Sequence, residues 1–424
     1  MIKIFDKDFD INKVLNREIQ TYGEYESVVK DVIANVLCNG DKALKEYTQK
    51  FDGVWLENLL VSQDEIDEAK AQVSDQFKNI LKTAAENISF FHQKQKKQGF
   101  EVTKEDGIIL GQKYTPIQKA GIYVPGGTAS YPSTVLMNAI PAKIAGVEQI
   151  IMCTPPQKDG KIKAEILVAA DLAGVDKIFK CGGAQAVAAM AYGTESIPQV
   201  YKIVGPGNIF VALAKKLVFG TVSIDMIAGP SEILVIADQN ANPVHLAADL
   251  LSQAEHDKLA TAVLVTNSKD IATQTANEIE RQLNLLPRQN IARESIDNNG
   301  KIIVVDSIDK AIEVSNAIAP EHLEVCVENP YDYLDKITNA GSIFLGGYTP
   351  EALGDYFAGP NHTLPTSGSA KFSSPLSVDD FIKKSSYIQY TKTALNKVKD
   401  QVATFAEAEG LSAHARSATI RFEE

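Results

Sequence analysis

The chain has 424 residues, 45% hydrophobic and 23% charged, with a net charge of -12. That supports two or three domains of about 150 residues, and the acidic balance argues against a phosphate-backbone partner, which needs a positive face. Met1-Ile-Lys-Ile-Phe-Asp6 has no apolar signal core, and no run approaches the ~18 apolar residues of a membrane span, so a cytoplasmic protein with neither membrane nor nucleic acid as partner is expected.

Residues 1 to about 120 read as mostly helical. Val28 to Leu37 and Ala69 to Phe91 repeat apolar residues at helical spacing, and no Gly or Pro occurs between Gly53 and Gly99. Beyond 120, short β-branched runs alternate with alanine-rich runs. Strands are expected at 150–153, 177–181 and 200–204, with helices at 164–172, 184–192 and from Asn208. After a seam at Ala228-Gly-Pro-Ser231 the alternation resumes. Strands are expected at 232–237, 261–265, 302–305, 323–327 and 341–345, and helices at 243–256, 268–286 and 308–318. This is the signature of parallel, doubly wound sheets. Residues 365–380 look like a Ser/Gly/Pro-rich linker, and 379–421 like a small helical tail.

The four cysteines, Cys38, Cys153, Cys181 and Cys326, are far apart and form no C-x-x-C pair, which reads as free thiols in a reducing compartment. Histidine is scarce, six in all. Four close short polar motifs: Gln253-Ala-Glu-His256, Pro320-Glu321-His322, Asp355 to His362, and Glu409-Gly-Leu-Ser-Ala-His414. Imidazoles and carboxylates bind divalent metals and move protons near neutral pH. Gln253 and His256 are three apart on an expected helix, so both project from one face. Taken singly, each motif is equally a polar helix end or a rigid turn. His92 and His245 lack such a motif and read as structural. Tyr123-Val-Pro-Gly126-Gly-Thr-Ala-Ser130 and Gly205-Pro-Gly-Asn208 are Gly-rich loops after strands, suited to phosphate contact. Neither matches the dinucleotide fingerprint or a P-loop.

The stretch Ile224-Asp-Met-Ile-Ala-Gly229-Pro-Ser231-Glu232, running on through Asp249-Leu-Leu-Ser to Glu255-His256, resembles the signature of histidinol dehydrogenases. So do Gly126 to Met137, Cys181-Gly-Gly-Ala-Gln185, Gly205 to Asn208, Pro320-Glu-His322-Leu-Glu, Gly354 to Pro365 and Glu409 to His414, in the family's order. The first ~100 residues and 366–408 carry few such marks.

The resemblance implies zinc-dependent, four-electron oxidation of L-histidinol through histidinal to L-histidine, reducing two NAD+, as the last step of histidine synthesis. It implies one Zn2+ per subunit on Gln253, His256, Asp355 and His414. Ser231, Gln253, His256, His322, Asp355, His362, Glu409 and His414 would surround the substrate. Tyr123, Gln185 and Asn208 would contact NAD+, and Glu321 and His322 would do the proton chemistry. It also implies a homodimer whose C-terminal tail completes the partner's site. The corresponding fold is α/β, with two Rossmann-like doubly wound domains, a helical N-terminal segment and a small helical tail. The expected division is an extension at 1–20, a discontinuous metal and substrate domain at 21–122 plus 232–375, an NAD domain at 123–231, and the tail at 376–424. On the site residues alone, a zinc hydrolase on a Rossmann-like scaffold is the alternative, with Glu321 activating water.

Overall fold

The computed structural model describes residues 2–6, 23–126 and 131–423. The Gly127-Thr-Ala-Ser130 part of the first Gly-rich loop and most of the 1–20 extension lie outside the described residues. Two parallel sheets dominate. The first takes its strands, in chain order, from Lys119–Tyr123, Gln149–Thr154, Lys177–Lys180, Lys202–Val204 and Ser223–Ile224. In space they run third, second, first, fourth, fifth, all parallel. Ile150, Ile151, Met152 and Cys153 are all fully buried, the continuous apolar run that a parallel strand covered on both faces requires.

The second sheet repeats that order with Glu232–Ala237, Thr261–Thr266, Lys301–Val304, His322–Cys326 and Ser342–Leu345. Lys3–Phe5 adds a sixth parallel strand outside Lys301–Val304. Between strands, Asn242 caps helix Pro243–Ala254 by accepting the Val244 N–H, and Ser307 caps Ile308–Ile318 in the same way. Side-chain acceptors at these ends satisfy amides the helix cannot. Two Rossmann-type sheets, helices before them and helices at the C-terminus are the architecture expected.

Several boundaries differ from the sequence reading. The helix expected at 268–286 is Lys269–Leu283, and a further helix outside the expected range, Gln289–Asn299, follows it; Pro287 between them has no amide to continue the ladder. Residues 365–380 are not a linker. They form short 3-10 turns at Ser369–Lys371 and Val378–Phe381, and Leu376, Val378 and Phe381 are buried. Leu376 and Phe381 join the apolar cluster around helix Pro132–Ala145. The helices Gly23–Phe51, Gln63–Gln72 and Asp75–Gln93 pack on helices flanking the first sheet, and Lys119–Tyr123 is that sheet's central strand. The sequence grouped 21–122 with the second sheet. An amphipathic face states that it is covered, but not by which sheet.

Residues 96–116 and 382–424 form a second compact unit. Here Phe100–Lys104, Ile108–Pro116 and Ile382–Gln389 make an antiparallel sheet with Ile108–Pro116 in the middle, followed by helices Lys392–Ala408 and Ser412–Thr419. The strands replace the helix expected before 120, and one lies inside the expected helical tail. In Ile382-Lys-Lys-Ser-Ser-Tyr-Ile-Gln389 only Ile382 is partly buried, so no alternating pattern marks it as a strand. Among the described residues, no helix is long and apolar enough to cross a membrane. All four cysteines are free, with only Cys38 exposed.

Candidate active site

The Pro320-Glu321-His322 motif is aimed by the end of helix Ile308–Ile318. Ala319 closes that helix in the left-handed conformation, φ 52, which costs an L residue about 1 kcal/mol. Pro320 prevents the helix from continuing, and His322 becomes the first residue of its strand. Gly341 lies against this turn, where any Cβ would collide with the Glu321 carbonyl oxygen.

Around the buried His322 residues of two other motifs gather, Gln253 to His256 and Asp355 to His362. Its Nδ1 lies 3.1 Å from the Glu232 carbonyl oxygen and 3.1 Å from Gln253 Nε2. Its Nε2 is 3.5 Å from Asp355 Oδ1. Glu321 Oε2 accepts the Glu232 N–H at 2.9 Å and lies 3.8 Å from His322 Nδ1, while Glu351 Oε1 lies at 3.7 Å. Gln253 comes from the last turn of Pro243–Ala254, and His256 follows as that turn continues, its N–H bonded to the Gln253 carbonyl. Asp355 sits in a single π-helical turn, Gly354–Ala358, a widened geometry frequent at functional sites. His362 Nδ1 lies 3.0 Å from the Asp355 carbonyl.

These groups set one another's charge. Burial disfavours the His322 imidazolium, but the carboxylates of Glu351, Glu321 and Asp355 outweigh it and hold its pKa well above the usual value. Burial likewise works against the Asp355 carboxylate, yet the adjacent His322 imidazole, with His362 and His256 nearby, keeps it below the ordinary range. Burial pushes Glu321 up to about 8, and it also raises Glu351. His256 and His362 are both lowered, chiefly by burial.

The donor set suits a divalent transition metal. Ligand atoms of His322, Glu351 and Asp355 all lie within 4.8 Å of one another. Gln253 Oε1, Glu351 Oε2 and His322 Nε2 are buried without a hydrogen-bond partner, a costly state unless something polar or charged is supplied. Nitrogen and oxygen donors of this kind match zinc. This geometric triad shares only Asp355 with the ligand set implied by resemblance. Glu409 and His414 belong to the second compact unit and are exposed. Ser231 directly precedes strand Glu232–Ala237 and is partly buried.

Two cavities accompany the cluster. One, of about 470 Å³, is lined by Glu255, His256, Ser133, Tyr131, Arg288 and Tyr356, with Phe77 and Leu81 on an apolar wall. The other, of about 780 Å³, is lined by Tyr123, Gln185 and Asn208, together with Gly126, Gly182 and Gly183. The larger one opens at the carboxyl ends of the first sheet, where the strand order reverses, as ligand sites in such sheets do. The histidine–carboxylate cluster instead sits at the amino ends of the second sheet, since Glu232 and His322 each begin a strand.

The histidinol dehydrogenase family model matches residues 15–422. The chain belongs to the histidinol dehydrogenase family. A histidinol dehydrogenase of Clostridium acetobutylicum is 59% identical over 406 residues, covering 96% of this chain and 94% of that protein. The crystal structure of histidinol dehydrogenase from Elizabethkingia anophelis superposes with a TM-score of 0.95 at 43% identity, covering 99% of this chain and 98% of that one. An acetylating aldehyde dehydrogenase from Geobacillus thermoglucosidasius reaches a TM-score of 0.50 at 12% identity, covering 87% of this chain and 98% of that one, a likeness that shows the fold alone.

In this histidinol dehydrogenase family member two acids near the site have no role assigned from sequence, Glu351 and Glu324, the latter closing Pro320-Glu-His322-Leu-Glu. Glu351 precedes Asp355 by four residues, a helical spacing that places both on one face. Glu324, 1% exposed, accepts the Glu351 N–H at 2.7 Å. A charged residue in the middle of an apolar strand was the available signal for it.

Proposed function

We propose that the chain catalyses the NAD+-linked, zinc-dependent oxidation of L-histidinol through histidinal to L-histidine, the last step of histidine synthesis. The observation that carries the reading is the convergence of His322, Glu321, Gln253, His256, Asp355 and His362, in a chain of this family. Gln253, His256 and Asp355, with His414 from the tail of a second copy, would hold the zinc. When bound, the ion supplies a Lewis acid and an anchor for the amine and imidazole of the substrate. Tyr123, Gln185 and Asn208 would bind NAD+, which accepts hydride. Asn208 Oδ1 is already engaged by the N–H groups of Phe210 and Val211, so its amide nitrogen is the end available to a ligand.

Each hydride leaves as an oxygen-bound proton is taken. His322 receives the hydroxyl proton in the first oxidation, since a primary alcohol is too weak an acid to release it unaided. Glu321, once ionised, removes a proton from the water that adds to the aldehyde carbon. That addition is required, because hydride departs only from a tetrahedral carbon. Ser231, His362 and Glu409 orient the amino alcohol. Exposure of Glu409 and His414 supports a homodimer that exchanges tails. The scattered buried cysteines are not needed as nucleophiles.

The test is stoichiometry. Histidinol should yield two equivalents of NADH, and a chelator should abolish turnover until zinc is restored. One equivalent with aldehyde released would overturn the four-electron reading, and full activity after complete metal removal would overturn zinc dependence.

A further inference from the structure

Gly205 opens the Gly205-Pro-Gly-Asn208 loop directly after strand Lys202–Val204. Its φ is +117, a region that side-chain-bearing residues avoid. A Cβ there would collide with the Tyr123 carbonyl oxygen, so the loop lies flat against the strand end that carries Tyr123. Both polar groups of this one residue are held by a single buried ion pair. The Gly205 N–H donates to Asp225 Oδ2 at 2.8 Å, and the Lys215 ammonium donates to the Gly205 carbonyl at 2.9 Å. Lys215 and Asp225 pair with each other, their side chains 2% and 1% exposed. Asp225 Oδ1 also accepts the Met226 N–H at 2.6 Å.

The connections close a ring. Lys215 stands on helix Ile209–Val218, which is capped by Asn208, the last residue of the same loop. The helix therefore grips the loop at both ends, through its cap and through Lys215. Asp225 ties that grip to the segment leading toward Ser231. An ion pair this deeply buried seldom adds stability over apolar packing. Here it dictates where one glycine peptide stands, and with it the distance between Tyr123 and Asn208.

We propose that the Lys215–Asp225 pair is a positioning device that holds the Gly205–Asn208 loop in its dinucleotide-binding conformation before the dinucleotide arrives. This rests on the reading that the larger cavity takes NAD+. A loop ordered in advance spares the complex the entropy of ordering it.

NAD+ binding and steady-state kinetics would be measured on Lys215→Met and on the charge-neutral double variant Lys215→Met/Asp225→Asn, both checked for native melting. The expected result is an NAD+ Kd and KM raised about ten-fold or more, with the histidinol KM little changed. A folded variant that binds NAD+ as tightly as the parent overturns the proposal, as would a loss confined to melting temperature. Hydrogen exchange on the parent protein gives a second reading that needs no variant. The Gly205 amide should be protected before NAD+ is added and change little afterwards. Free exchange until NAD+ is present would overturn the proposal. If the parent binds no NAD+, the cofactor reading is what fails, while Gly205 protection still reports on the clamp.

Discussion

Glu321 and His322 are neighbours in sequence, yet their surroundings pull them in opposite electrical directions. The three carboxylates around His322 favour its cation, whereas burial favours neutral Glu321, pushed up to about 8. Under the proposed reading, a dication held there would offset those charges, leaving His322 able to accept a proton and Glu321 easier to ionise. The two proposed roles are separable by substitution. Glu321→Gln should leave the alcohol oxidation within a few-fold and slow the aldehyde oxidation by about 10²–10⁴, read as NADH transients started from histidinol and from histidinal. Equal slowing of both would contradict the division. Because Glu321 must be ionised to act, the aldehyde step of the parent should lose rate as pH falls. Its midpoint should lie at or below about 8, and that acidic limb should vanish in Glu321→Gln. Glu351 was missed at this scale because a lone Glu in Pro350-Glu351-Ala has no chemical marker. Its importance comes from burial, which the sequence does not print.

At the scale of elements, the turn after helix Ile308–Ile318 does most to place Glu321 and His322. Ala319 pays a left-handed backbone penalty so that Pro320 can redirect the chain into His322. Ala319→Gly removes the Cβ clash and should match or exceed the parent's stability by up to about 1 kcal/mol. Ala319→Val puts a β-branched residue at positive φ in a fully buried position, and should destabilise by more than about 1 kcal/mol and depress kcat. Denaturant midpoints check both. A more stable valine variant would show that the strain at Ala319 has been misread. Elements with strong local punctuation were legible: strand Glu232–Ala237 and helix Ile308–Ile318 match residue for residue. Strand Ile382–Gln389 was not, because its polar pattern carries no period of two and its pairing with Ile108–Pro116 is long-range.

For the whole molecule, the proposed exchange of C-terminal tails has a direct test. If the tail of one copy completes the site of another, His414→Ala and His322→Ala chains, each inactive alone, should regain activity when unfolded and refolded together. Random pairing makes half the dimers mixed, each with one intact site, so about a quarter of parental activity is expected, with each dimer weighted by its intact sites. No recovery, with mixed dimers demonstrated, would mean that each tail serves its own chain. A larger assembly would change the fraction but not the sign.

The sequence by itself determined the local facts: where helices and strands alternate, which Gly and Pro residues interrupt them, and which scarce histidines travel with acids. Those follow from periodicity and side-chain chemistry, which act over a few residues. Tertiary structure decided which groups meet. It buried Glu351 beside His322 with Glu324 bonded to its backbone, put the histidine–carboxylate cluster at the amino ends of one sheet and the larger cavity at the carboxyl ends of the other, and held Gly205 between Lys215 and Asp225. Charge and burial depend on what lies within a few ångströms in space, and no spacing along the chain records that distance.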